Sequence, residues 1–321
     1  MKNCKLKFLS SFLGAVACFG LVPMGKMNNA CAKSNISVAS GVAIGTGAVV
    51  LGAAAIFGIV ALTGGFSKSE DSEDNNSKPA PRSEVPYRVE PLDKISDSYI
   101  NQIINPNSKI KLDNFEIVQT GGDSKLSGIT DAKLLTKSEY GKVAIIDAAN
   151  NGGIGGGGVD GAIFAAMSQN GCDPVGDISK NVPCYEGQGN IRIKDGGAII
   201  HSSYGIGKQC PNVPYVIQTV SPKIYNEKNL NMLYSALYNV VALGIEYRCD
   251  TLMTPAVGMG AFYHGKTPAV AKECAKVTAK AINDAKRDKK SNVKIVITQH
   301  DDPDSSRRND AFFDALKEMI K

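Results

Sequence analysis

Val143-Ala-Ile-Ile-Asp-Ala-Ala-Asn150 runs into Asn151-Gly-Gly-Ile-Gly-Gly-Gly-Gly158 and then Val159-Asp-Gly-Ala-Ile163. The first piece is a short apolar run of the kind that forms a buried strand, and the last resumes apolar residues at helical spacing. Between them lies a glycine loop. Glycine lets the backbone approach a ligand closely and adopt positive φ. A helix start adds N–H groups with no partner inside the helix and the positive end of its dipole. Strand, glycine loop and helix start together predict a site for phosphate.

Two phosphate motifs are tested directly by these residues. A Walker loop is excluded, because no Gly-Lys-Ser/Thr follows the glycines. A dinucleotide fingerprint is formally present as Gly153-x-Gly155-x-x-Gly158. It calls for an acidic residue closing a second strand about 20 residues on. The stretch 172–190 is instead polar and interrupted by Pro174 and Pro183.

Four blocks, in order, resemble the macro domain family. They are Asp147-Ala-Ala-Asn150, Gly156-Gly-Gly-Val-Asp-Gly-Ala-Ile163, Tyr215-Val-Ile-Gln-Thr-Val-Ser-Pro222 and Pro255-Ala-Val-Gly-Met-Gly-Ala-Phe262. The family patterns they match are Asn-Ala-Ala-Asn, Gly-Gly-Gly-Val-Asp-Gly-Ala-Ile, Tyr-Val-Ile-His-Thr-Val-Gly-Pro and a second glycine loop. The resemblance covers the last two-thirds of the chain. It implies a three-layer α/β/α fold with a mixed central sheet over residues 92–321, and a pocket for ADP-ribose.

The resemblance also implies roles for single residues. Ala149, Gly156, Gly157, Gly158 and Val159 form the first phosphate loop. Val257, Gly258, Met259, Gly260, Ala261 and Phe262 close on the diphosphate from the other side, with Phe262 beside the distal ribose. Asp123, after Gly121-Gly122, matches the carboxylate that accepts a hydrogen bond from the adenine amine. Asn150 contacts the distal ribose. Asp160 orients or activates water at the anomeric carbon, so Asp160 and Asn150 are the candidate catalytic pair. The implied activity is hydrolysis of an ADP-ribosyl linkage, of glycohydrolase or esterase type, with no cofactor and no metal. The alternative is a non-catalytic reader of ADP-ribosylated partners.

Three positions depart from the pattern. Asp147 replaces the first Asn and puts a negative charge near the pocket floor. Phe164 stands where the hydrolase branch has His, four residues after the Asp. Tyr263 replaces a glycine, which alters the pocket mouth. Bland readings stand beside the functional ones. Asn150 is also a capping residue type, and Asp160 also complements a helix dipole.

The N-terminal part is different material. Lys2, Lys5 and Lys7 precede an apolar run at 8–22, and Ala30-Cys31-Ala32 has a signal-peptidase pattern. Residues 1–32 therefore read as a signal peptide or as a first membrane helix. Residues 38–64 carry no charge, longer than the roughly 20 residues that span a bilayer. Gly41-x-x-x-Gly45 is a helix-contact pattern, and 38–66 is read as a transmembrane helix. Residues 67–91 are rich in Ser, Pro and charge, a disordered linker that cannot offset ordering entropy. Either way of handling the first segment leaves the folded domain membrane-anchored and facing the cytosol. A tether and linker would also suit a secreted bacterial effector.

Composition sets further bounds. Net charge is only +5, from 36 basic and 31 acidic residues, which argues against a dedicated nucleic-acid surface. Cys172, Cys184, Cys210, Cys249 and Cys274 are an odd number without framework spacing, consistent with a reducing compartment. His201, His264 and His300 are far apart, with no pair at metal spacing. Periodicity predicts helices over 95–104, 160–168, 230–243, 268–287 and 308–321. Strands are predicted over 114–119, 142–148, near 199, over 215–220, 251–254 and 293–298. Alternating strands and helices predict a sheet covered on both faces, with ligands at the carboxyl ends of its strands.

Overall fold

A computed structural model describes residues 85–320, apart from 94, 107–108, 121–125, 226–228, 266 and 301–305. The signal or first-helix segment, the transmembrane segment, residues 67–84 and Asp123 lie outside the described residues. Among those described, no helix is long and apolar enough to cross a membrane.

The chain alternates strands and helices. β1 (Tyr87–Val89), α1 (Asp97–Ile104) and β2 (Phe115–Thr120) come first, then α2 (Ala132–Leu135), β3 (Val143–Ala148) and α3 (Gly158–Met167). Next are α4 (Pro174–Asn181), β4 (Ala198–Ser202), α5 (Gly205–Gln209) and β5 (Tyr215–Thr219). α6 (Leu230–Glu246), β6 (Thr251–Pro255), α7 (Pro268–Asp288), β7 (Lys294–His300) and α8 (Ser306–Ile320) complete it.

The described strands form one sheet in the order β1-β4-β5-β3-β6-β7-β2. The run from β5 to β2 is parallel, and β4 and β1 add on antiparallel. The mixed sheet of the expected fold is therefore present. Alternation along β3 shows why it has two covered faces. Ala144 and Ile146 pack with Leu233, Leu237, Ile282 and Phe312 from the α6, α7 and α8 side. Val143 and Ile145 pack with Ile163, Phe164, Met167 and Ile178 from α3 and α4 on the other. Neighbouring side chains of a strand point to opposite faces, so a strand buried on both is apolar over most of its length, here Val143 to Ile146.

Local signals set the helix ends. Ser96 accepts a hydrogen bond from the Tyr99 N–H at the start of α1, 3.2 Å, a side-chain cap of the preferred type. Pro268 opens α7 where its missing N–H costs nothing.

Two parts of the fold were not foreseen. β1 pairs with β4, with Tyr87 opposite Ile200, so the folded unit begins inside the stretch assigned to the linker. Its pairing partner lies over 100 residues away, and three residues of local pattern cannot reveal that. The polar stretch 172–190 holds the helix α4 and does not line the cavity. Asp173 caps α4 through the Gly176 N–H at 2.9 Å, and Ile178 and Val182 enter the core. The returning segment is pinned behind the first glycine loop: Asn151 O accepts from Arg192 N at 2.8 Å, and the Arg192 guanidinium donates to Gly152 O at 3.2 Å.

Candidate functional site

The parallel strands end together, and a cavity of about 590 Å³ opens there. Thr120 comes from the end of β2, Ala148 from β3, Pro255 from β6, and Thr298 and His300 from β7, with Ser221 just beyond β5. This is where open α/β sheets hold ligands.

Two loops form facing walls. Ala149, Asn150, Gly157, Gly158, Val159 and Asp160 line one side. Gly258, Met259, Gly260, Ala261 and Phe262 line the other. α3 starts at Gly158 with Gly157 as its cap, and no side chain caps it. Its first-turn N–H groups are thus left to whatever occupies the cavity. Gly158 and Gly258 sit at φ of +64° and +80°, backbone that side-chain-bearing residues rarely adopt. A Cβ at Gly157 or Gly260 would meet no protein atom within 4 Å.

Asn150 organises the first wall. Its Nδ2 donates to Gly155 O and to Asp160 Oδ2, each at 2.9 Å, and its Oδ1 accepts from Gly152 N at 2.8 Å. Gly156 does not line the cavity. It is the floor on which this triangle rests, because a Cβ there would stand 2.7 Å from Asp160 Oδ2 and 2.8 Å from Asn150 Nδ2. Asp160 is 4% exposed yet reaches the cavity. Burial raises its pKa above the ordinary carboxylate range, against the pull of hydrogen bonds from Asp147 and Asn150.

Several residues stand elsewhere than expected. Val257 lies in the core and not on the cavity wall. Tyr263 does not shape the mouth: it is buried, and its hydroxyl donates to Thr267 O at 3.2 Å. Phe164 is buried against Gly155, so the missing histidine is replaced by packing under the loop. Asp147 is fully buried, and burial first, then the charge of Asp160, push its pKa well above the ordinary range. A full negative charge at the pocket floor is therefore disfavoured. Thr120, Ile129, Ser221, Thr298, His300 and Phe313 line the cavity unannounced. Those at strand ends were findable from the carboxyl-end rule, whereas Phe313 arrives only because α8 folds back.

A family model for the Macro domain matches residues 146–291. The chain is 35% identical over 121 residues to a macro domain-containing protein of Caldanaerobacter subterraneus, covering 37% of this chain and 62% of that protein. It is 33% identical over 137 residues to a macro domain-containing protein of Vibrio parahaemolyticus, covering 41% of this chain and 70% of that one. Among solved structures, the Oceanobacillus iheyensis macrodomain with ADP is similar at 21% identity and a TM-score of 0.45, over 66% of this chain and 96% of that chain. The Trypanosoma brucei macrodomain in complex with ADP-ribose is similar at 14% identity and a TM-score of 0.42, over 69% and 86%. With the four sequence blocks brought to one cavity, the family model matched across them and the Vibrio relative 33% identical over 70% of its length, the chain belongs to the macro domain family.

Proposed function

We propose that the cavity binds ADP-ribose and that the protein hydrolyses an ADP-ribosyl linkage on a protein or other acceptor. One observation carries the reading: an uncapped helix start and two glycine loops face each other across one cavity, with a buried carboxyl group at the same wall. The N–H groups of α3 and the second loop hold the diphosphate. Asn150 and Phe262 fix the distal ribose, and Asp160 orients a water toward the anomeric carbon. The water oxygen bonds to that carbon, the bond to the acceptor breaks with its electron pair leaving on the acceptor, and Asp160 takes the water proton. Positioning and electrostatics supply most of the rate in such a scheme. Other macro domains bind ADP-ribose.

The test is calorimetric titration of the full-length protein with ADP-ribose. Asn150→Ala unties the loop and is expected to weaken binding by roughly tenfold or more, the equivalent of about 1.4 kcal/mol. Unchanged affinity in this variant would place the ligand elsewhere. Gly157→Val gives a separate handle. Gly157 has φ of −102° and open space at its Cβ, so valine leaves the fold intact while filling the ligand side of the loop. Its melting temperature is expected to stay within about 3 °C of the parent, with affinity reduced by roughly tenfold or more. Full affinity in a folded Gly157→Val would remove the first glycine loop from the site.

A second reading, a reader without turnover, is favoured by Phe164, which leaves Asp160 without the expected histidine. Release of free ADP-ribose under single-turnover conditions separates the two. The charge-free segment 38–64 supports a membrane tether in either case, with the domain on the cytosolic side. Partitioning of the full chain into liposomes, lost when 38–64 is deleted, tests that part.

A further inference from the structure

The first phosphate loop has little of its own to hold it still. Six of the seven residues 152–158 are glycine, and glycine loses more conformational freedom on ordering than any other residue. The Asn150 triangle supplies part of the hold. The rest comes from the segment that follows α4, which the proposed function leaves without a task. Asn151 O accepts from Arg192 N at 2.8 Å and from Ile193 N at 3.1 Å. Asn151 Nδ2 returns two bonds, to Ile193 O at 2.9 Å and to Asp195 Oδ1 at 2.8 Å. The Arg192 guanidinium joins two elements: Nη1 donates to Gly152 O and Nε to Val182 O at the end of α4, each at 3.2 Å. Ile193 is fully buried, and a Cβ at Gly153 would stand 3.3 Å from its Cδ1. Hydrogen bonds and packing together seat the loop on residues 192–195.

That seat is gripped in turn by β1. Arg88 is the register partner of Ile199, so it stands on the face that α3 and α4 cover. Tyr87 and Val89 pack on the other face. Arg88 Nη1 donates to Pro183 O at 2.9 Å and to Arg192 O at 3.4 Å. Its guanidinium lies 4.1 Å from the centre of the Tyr185 ring, and Lys194 Nζ lies 4.2 Å from the same centre, two cation–π contacts on one ring. The Tyr185 hydroxyl donates to Glu90 of the same entering segment, and Glu90 also holds Lys194 at 3.1 Å. A three-residue strand that only closed a sheet edge would need no such grip.

We propose that residues 183–195 are a brace for the first phosphate loop, that Arg192 is its positioning residue, and that β1 locks the brace through Arg88. The loop is thereby ordered before a ligand arrives, so binding of the diphosphate is spared the entropy of stilling six glycines. Neither Arg88 nor Arg192 lines the cavity, so an effect of either on affinity passes through the loop. Displacing β1 releases the brace, which makes this strand a handle on the site from a distance. The role in binding rests on the ADP-ribose reading above.

Hydrogen exchange of the full-length protein, read on peptides covering 149–158, reports on the loop without any ligand. Arg192→Ala is expected to speed exchange there by roughly tenfold, while peptides from β5 and α6 exchange as in the parent. Arg88→Ala is expected to act at the same place by about threefold, and to add nothing in the Arg192→Ala background, because members of one network do not act independently. Calorimetric affinity for ADP-ribose should fall in step, by roughly tenfold for Arg192→Ala, with a less favourable binding entropy. If Arg192→Ala does not fold, Arg192→Lys, which reaches one carbonyl and not two, carries the test with the same sign. Unchanged loop exchange in both single variants, faster exchange throughout the domain, or independent effects in the double variant would overturn the proposal. Full affinity in a variant whose loop has loosened would overturn the positioning role. If exchange follows the expected pattern and the wild type binds no ADP-ribose, the brace stands and the binding reading alone falls.

Discussion

Asp160→Asn is expected to slow single-turnover release of ADP-ribose by about 10²–10⁴-fold, the usual contribution of a positioned acid or base. The reason is local. Asp160 reaches the cavity from the first turn of α3 and is held there by the Asn150 amide at 2.9 Å. Burial raises its pKa, which makes its ionised form a better base than an exposed carboxylate. Asparagine matches its volume but accepts no proton from water. Binding of ADP-ribose should fall far less than turnover, because the glycine loops and the helix start are untouched. The pair of measurements separates roles: equal losses in affinity and rate would make Asp160 a scaffold residue, and unchanged turnover would remove Asp160 from the catalytic step.

Asp284→Ala is expected to destabilise the fold by roughly 3–5 kcal/mol, the loss typical of removing one partner from a buried charged network. Asp284 is 2% exposed. It accepts from Tyr99 Oη at 2.7 Å, Tyr234 Oη at 2.6 Å and Arg287 Nη1 at 2.7 Å, and from Lys280. One carboxylate therefore joins α1, α6 and α7. Its removal leaves two tyrosine hydroxyls and a lysine to find new partners. At roughly 2–4 °C per kcal/mol for a domain of this size, the melting temperature should drop by about 10 °C.

The pH dependence has a definite sign. Burial alone would raise the Asp284 pKa, and hydrogen bonds from Lys280, Tyr234 and Tyr99 outweigh it, so the folded value lies below the ordinary 3.8. The unfolded state then binds the proton more readily, and this contribution is present above pH 3.8 and lost as pH falls through the folded value. The gap between wild type and Asp284→Ala should narrow below about pH 4. His201 works in a separate window. Its pKa drops from 6.5 to about 4 on burial, so stability rises with pH between those values, in the variant as in the parent. Denaturant titrations at pH 7, 5 and 3 check both, and a pH-independent gap would refute the Asp284 assignment.

The parts legible in the sequence share a cause. β3, β5 and α6 are apolar at the period of their element, and periodicity depends only on near neighbours. Both glycine loops declare themselves the same way, since residues without side chains in the chain are residues without side chains in the site. β1 was illegible because a three-residue edge strand is defined by its partner, and α4 because it is a polar helix, opened by Pro174 and followed by Pro183, whose two buried residues, Pro174 and Ile178, give little pattern. Val257 and Tyr263 sit within the second glycine loop, yet they turn into the core. A motif fixes backbone direction and leaves the facing of each side chain to the packing around it.

The sequence by itself determined the α/β order of elements, the two loops and the presence of Asn150 and Asp160 beside them. Only the tertiary structure decided that His201, Gln218, Asp147 and Asp160, spread over 72 positions, form one buried line. The physical reason is that strand register and helix cover, set by burial across the whole sheet, choose which polar groups are sealed together away from water. Sealing is what turns ordinary side chains into groups whose protons are held in place.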